Sequence, residues 1–281
     1  MKPETITKQI FKIIPALLLV TLSAFLLQGD VWTFWTWYLL ALVLGAAAMP
    51  LTGRLFRRFQ DRGWVFSKVT AIAVSGFLTW FLVAVKIIKF TTMTCIVVTL
   101  VCAAASLILY CREQKAGFEC IPFAHLDLVY AEELLFFAAF LLWTYLAGFH
   151  PAAHGTEKYM DFGFMQSMMR STTLPAQDMW YAGKPFNYYY GGQYLAVFLT
   201  KLTGTNVEIT YNLMRTMVAA FAFVLPFSLV RQMLKDKSGK DKKWTLDLSG
   251  ILAGMAVSMS GNLHYIIYGI ILRLLKIKTD Y

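Results

Sequence analysis

The sequence predicts an all-α, polytopic transmembrane helical bundle of about seven spans, with one large extracytoplasmic loop that carries membrane-parallel helices. Three observations predict it. Of the 281 residues, 58% are hydrophobic and only 15% are charged, with a mean hydropathy of +0.57, whereas a soluble domain carries about 25% charged residues. Apolar runs recur at the length a bilayer asks for, roughly 20 residues for a hydrocarbon core of about 30 Å. The net charge of +10 sits mostly between those runs, where basic residues mark the cytoplasmic side. These features exclude a soluble enzyme. They assign the basic residues to topology and lipid headgroups, with no nucleic acid as partner.

The runs fall near 10–27, 31–51, 67–88, 92–111, 130–149, 209–233 and 248–272. No small-x-small cleavage site follows the first run, so it is expected to remain as a span. Gln28-Gly29-Asp30 is a polar turn between the first two runs. Arg54, Arg57, Arg58, Arg62 and Lys68 place the next loop, and with it the N-terminus, in the cytoplasm of a cell-membrane protein. The lysines at 235, 237, 240, 242 and 243 form a second cytoplasmic cluster. If both clusters lie inside, residues 150–208 lie wholly outside, and the apolar patch Tyr194–Leu202, too short to span, lies on or dips into the membrane. A loop of that length is usually functional. The chain thus divides into a four-span bundle, 1–128, and a second module, 129–281. Its four cysteines, Cys95, Cys102, Cys111 and Cys120, show no CxxC spacing and suggest neither a disulfide framework nor a zinc site.

The polar chemistry concentrates in the outer loop. Thr156 is a candidate N-cap, and Glu157 and Asp161 stand four residues apart, on one face of the helix that would follow. Two outward carboxylates there suit a divalent cation, Mg²⁺ or Mn²⁺, or a general base; they equally suit the positive end of a helix dipole. His150 and His154 lack the third ligand that zinc requires. Asp178, Trp180, Asn187, Tyr188, Tyr189 and Tyr190 mix aromatic faces with acid and amide groups. That mixture fits a sugar ring, with apolar contact on its CH face and hydrogen bonds at its rim; an interfacial aromatic belt is the competing reading. Arg215, one or two turns inside its span, is placed to hold a lipid phosphate or to snorkel to the headgroups. Glu132 and Glu133 are expected at a solvated inner end of their span. Gly261-Asn262 interrupts an apolar helix as a packing notch or polar contact.

Glu157-Lys158-Tyr159-Met160-Asp161-Phe162, then Trp180-Tyr181-Ala182-Gly183, then Asn187-Tyr188-Tyr189-Tyr190-Gly191 resemble the hallmark of the YYY membrane proteins of bacteria and archaea. That family is similar to glycosyltransferases of the GT-C fold. The resemblance implies a GT-C-like module in 129–281 that uses a polyprenyl-phosphate-linked sugar at the outer face. It implies Asp161 as the catalytic carboxylate, which activates an acceptor hydroxyl, and Glu157 as its second; both are implied as metal ligands. Asp178, Trp180, Asn187, Tyr188, Tyr189 and Tyr190 would then line the substrate site, and Arg215 would hold the lipid phosphate. Two departures stand out. Tyr159 occupies a position that is commonly proline in the family, and family members are usually longer, so the module is expected to be truncated at its C-terminal side. The alternative to an enzyme is a non-enzymatic membrane protein, either a transporter or an assembly partner. A transporter should show broken helices in corresponding positions of a repeat, and none is evident.

Overall fold

The computed structural model describes residues 3–120, 123–155, 157–238, 242–260 and 274–275. Among them the regular structure is helical: α1 Pro3–Leu27, α2 Val31–Leu55, α3 Trp64–Ala84, α4 Thr92–Lys115, α5 Leu126–Ala147, α6 Lys158–Arg170, α7 Gly191–Thr203, α8 Val207–Ser238 and α9 Lys243–Ser258. Thr156, Lys240 and Gly261-Asn262 lie outside the described residues, as does most of the last apolar run beyond α9.

Among the described residues, four stretches are long and apolar enough to cross a membrane: Ile13–Leu55, Trp64–Ala84, Thr92–Lys115 and Val207–Lys237. The first contains α1 and α2, which meet at the predicted polar turn, where Gln28 has a φ of +46°. There Trp35 Nε1 donates to Ser23 Oγ at 3.1 Å. A continuous helix would set those residues about 18 Å apart along its axis, so the chain folds back sharply. α4 begins at a side-chain cap, with Thr94 N donating to Thr91 Oγ1 at 3.2 Å, which satisfies one orphan donor of its first turn. Long apolar side chains face outward on these helices, among them Val43, Phe77, Leu100, Leu107 and Val218. Surfaces of this kind mark contact with a membrane or a partner.

The core is an aromatic seam that joins α2, α5 and α8. Phe34 and Phe140 stack at 4.6 Å, Phe136 and Phe221 at 5.0 Å, and Tyr38 meets Phe137 edge-on at 4.8 Å. Such pairs are worth roughly 0.5–1.5 kcal/mol each beyond the area they bury. α9 packs closely along α8. A methyl on Gly254 would come 2.7 Å from the Phe223 carbonyl oxygen, and one on Gly250 would come 2.9 Å from that of Phe227. These two glycines, four apart, are the small residues that let helix backbones approach.

The connections gather at two ends. At one, Gln60 and Asp61 of the α2–α3 loop bond to Arg231 and Ser228 of α8, and Arg54 pairs with Glu113 of α4. At the other, Phe90 of the α3–α4 turn donates its N–H to the Thr172 carbonyl, and Lys201 Nζ sits over the Phe90 ring. The Arg54–Arg62 loop and the part of α8 that carries Lys235 therefore lie at the end opposite Thr172 and Lys201.

Two expectations are corrected. The Tyr194–Leu202 patch, expected on or dipping into the membrane, forms most of α7 and does not stand clear of the bundle. Val197, Phe198 and Leu199 are buried against α2, α3, α4, α6 and α8, and the Tyr194 hydroxyl donates to the Gly76 carbonyl at 2.8 Å. Nor are Glu132 and Glu133 solvated. Glu132 is fully buried, and Glu133 Oε2 accepts from Lys68 Nζ at 2.6 Å and from Trp64 Nε1 at 2.8 Å.

Candidate functional site at the outer-loop end

The loop after α5 is organised by α6. Asp161 N donates to the Glu157 carbonyl at 2.9 Å, which makes Glu157 the residue that caps the helix and sets both carboxylates on its first turn. Phe164 and Met168 of α6 face the core, while Glu157, Asp161 and Met165, four apart, form the stripe that lines the cleft. α7 then runs beside α6 and presents Gln193, whose Nε2 donates to Asp161 Oδ1 at 2.6 Å. The first turns of α8 close the third wall. Arg215 lies over the Tyr211 ring at 5.5 Å and donates from Nη1 to Asn212 Oδ1 at 3.1 Å.

These helices enclose an open cleft of about 580 Å³, lined by Glu157, Lys158, Asp161, Gln193, Tyr211 and Arg215 together with Met165, Met214 and Val218. It combines two carboxylates, two cations and an apolar floor. One oxygen of Asp161 is fixed by Gln193, and the other is not used by any bond among the described residues. A carboxylate held this way can accept a proton from a hydroxyl at hydrogen-bond distance. The Arg215 guanidinium offers planar, paired donors suited to a phosphate. Among the described residues no group of three or more His, Cys, Asp or Glu side chains converges. A metal ion here would take Glu157 and Asp161 as its protein ligands and its remaining ligands from solvent or substrate, which is how Mg²⁺ is commonly held.

The structure brings Arg215 to Glu157 and Asp161, from which it is far apart in sequence. It divides the aromatic block. Tyr190 turns inward, where its hydroxyl accepts from Trp80 Nε1 of α3 at 2.9 Å and its ring meets Phe186 at 5.0 Å. Tyr188 and Tyr189 remain exposed, with ring centroids 4.2 Å apart. A hydrogen bond with Tyr188 raises the Tyr189 phenol to about 12, with smaller contributions from the charges of Glu157 and Asp161. The tyrosine pair thus stands within the field of the cleft carboxylates. Asp178, Trp180 and Asn187 lie outside the lining of the cleft. Asp178 Oδ1 accepts from the backbone N–H of Trp180 at 2.8 Å and of Tyr181 at 2.9 Å, so it builds a turn. Trp180 is exposed beyond it and touches Phe164 edge-on at 6.4 Å. His150 and His154 are also exposed, and His154 packs on Tyr159.

Sequence reasoning did not assign roles to Gln193 and Tyr211. Tyr211 had a local signal, standing four residues before Arg215 at the spacing that stacks side chains on a helix. Gln193 had none, because its bond to Asp161 spans 32 residues.

No curated protein and no solved structure matches the chain. A family model described as an uncharacterized membrane protein (DUF2298) matches residues 74–280. That span includes every helix that builds the cleft, and it covers well over half the chain, which therefore belongs to the membrane protein family DUF2298.

Proposed function

We propose that the chain is a GT-C-like glycosyltransferase module that moves a sugar from a polyprenyl-phosphate donor at the outer face of the cell membrane. In this reading the N-terminus is cytoplasmic and the chain spans the membrane about seven times. The observation that carries it is the cleft in which Asp161 and Glu157 share one hollow with Arg215, at the end of a helix of membrane length. Arg215 holds the lipid-linked phosphate. Asp161, oriented by Gln193, takes the proton from the acceptor hydroxyl as that oxygen attacks the sugar carbon and the phosphate leaves with the bond electrons. The exposed Tyr188–Tyr189 pair offers an aromatic face to a sugar ring. Mg²⁺ or Mn²⁺ between Glu157 and Asp161 would stabilise the leaving phosphate.

The test begins with topology. Single cysteines at 161 and 240 in a cysteine-free background are exposed to an impermeant thiol reagent in whole cells. Labelling at 161 alone is expected; labelling at 240 from outside removes the basis of the reading. Transfer of labelled sugar from a polyprenyl-phosphate donor is then followed in membranes. Asp161→Asn should lower it by roughly 10²–10⁴-fold, the usual contribution of a positioned general base. Transfer unaltered in that variant would remove Asp161 as the base, and no transfer by the native chain would leave a non-enzymatic membrane role, such as a transporter or assembly partner.

A further inference from the structure

The opposite end of the bundle holds an imbalance of buried charge that sugar transfer does not use. Asp61, Lys68, Glu132 and Arg231 are each at most 5% exposed. Lys68 is paired with Glu133 at 2.6 Å, and Arg231 with Asp247 at 2.7 Å. Asp61 and Glu132 are left over, side by side, with no ion-pair partner among the described residues. Asp61 is partly satisfied, since its Oδ1 accepts from Gly63 N at 3.1 Å and its Oδ2 from Ser228 Oγ at 3.1 Å. Glu132 is fully buried, and no donor group among the described residues reaches either of its carboxyl oxygens, which lie within hydrogen-bonding reach only of the Asp61 carboxyl. The charges that act on it are those of Asp61, Arg231 and Lys68. Two adjacent buried carboxylates repel each other, and an unpaired buried charge costs several kcal/mol. Something positive must sit with them.

We propose that Asp61 and Glu132 together hold one small monovalent cation, a proton or an alkali ion, between the α2–α3 loop, α5 and α8. A single positive charge leaves the pair with one negative charge. The Gly63 N–H and the Ser228 hydroxyl already donate to that charge, and Arg231 and Lys68 face it. A divalent ion such as Ca²⁺ asks for about six to eight oxygens, and no third acid converges here among the described residues. Access is short. A cavity of about 380 Å³, lined by Gln60, His125, Leu128, Arg231 and Lys235, reaches Leu128, one helical turn before Glu132. The groups that face the pair are Lys68 of α3 and Ser228 and Arg231 of α8; behind them Glu133 of α5, with Trp64 of α3 and Tyr38 of α2 beside it, holds Lys68, and Asp247 of α9 holds Arg231. Burial also pushes the Asp61 carboxyl above its ordinary range.

The site is independent of the sugar-transfer reading, and its test does not require activity. The full chain in detergent micelles is treated with dicyclohexylcarbodiimide, an apolar reagent that attacks protonated carboxyls, and the modified residue is found by mass spectrometry. Modification at Glu132 or Asp61 is expected. Its loss when Na⁺ is added identifies the alkali ion, whereas a fall with rising pH that ignores Na⁺ identifies the proton. Thermal unfolding of Glu132→Gln supplies the second measurement. The amide carries no charge and needs no cation, so this variant should melt at or above the native temperature. It should also lose the native dependence on Na⁺, or the native fall in melting temperature as pH rises. The proposal is overturned if neither carboxyl is modified at any pH and Glu132→Gln melts with the same dependence on Na⁺ and pH as the native chain.

Discussion

The two ends of α8 use the same residue types to opposite effect. Near its start, Arg215 is exposed and shares an open cleft with Asp161 and Glu157. Sixteen residues later, about 24 Å along the helix, Arg231 is buried and bonded to Gln60 and Asp247. Charges at the first end keep their solvation and stay available to a ligand. Those at the second have lost water and must be matched within the protein, so they lock the α2–α3 loop, α5, α8 and α9 together. Identity of side chain says little about role here. Burial and partner decide it.

The contrast is broken most easily at the buried end. Glu133→Ala leaves Lys68, 1% exposed, without its counter-charge. A loss of about 3–5 kcal/mol is expected, read as a lower unfolding temperature in micelles. Replacing both partners, Lys68→Met with Glu133→Leu, should recover most of that loss, since buried pairs are often exchangeable for apolar packing. Gly254→Ala pushes a methyl against the α8 backbone, and about 1–3 kcal/mol should be lost by the same measurement. Trp80→Phe removes the donor to Tyr190 and should cost about 1 kcal/mol. At the open end Asp161→Asn should change stability by less than about 0.5 kcal/mol, while transfer collapses. A large stability loss there would show that the cleft is structural. The smallest effect is electrostatic. Tyr188→Phe removes the hydrogen bond that holds the Tyr189 phenol at about 12. Its ionisation, followed by ultraviolet absorbance, should therefore begin at lower pH and move toward the ordinary tyrosine value of about 10.

Local chemistry made the long helices legible. Runs of apolar residues became α2, α3, α4 and α8 because length and hydropathy are properties of contiguous sequence. The break at Gln28-Gly29-Asp30 followed for the same reason. What depended on distant contacts did not follow. The Arg54–Arg62 cluster reads as a solvated loop, yet that loop folds inward and buries Asp61 beside Glu132. α7 reads as a segment on or dipping into the membrane, because its apolar face gives no hint that five other helices pack around it. The role of Gly250 and Gly254 did not follow either, because it lies in Phe223 and Phe227 on another helix. In the cleft, Asp161 and Glu157 had local spacing to recommend them. Gln193 and the approach of Arg215 came only with the fold.

The division of the triple tyrosine changes how any scan of that motif should be read. Tyr190 is a peg driven into α3, and the two residues before it are free ends hung from that peg. Substitutions along three consecutive letters would therefore sort into two unlike phenotypes. Loss of the third should lower the amount of protein that survives in the membrane. Loss of the first or second should leave the amount intact and alter only what the protein does. A scan scored by function alone would merge the two, and one that also counts protein would separate anchor from instrument.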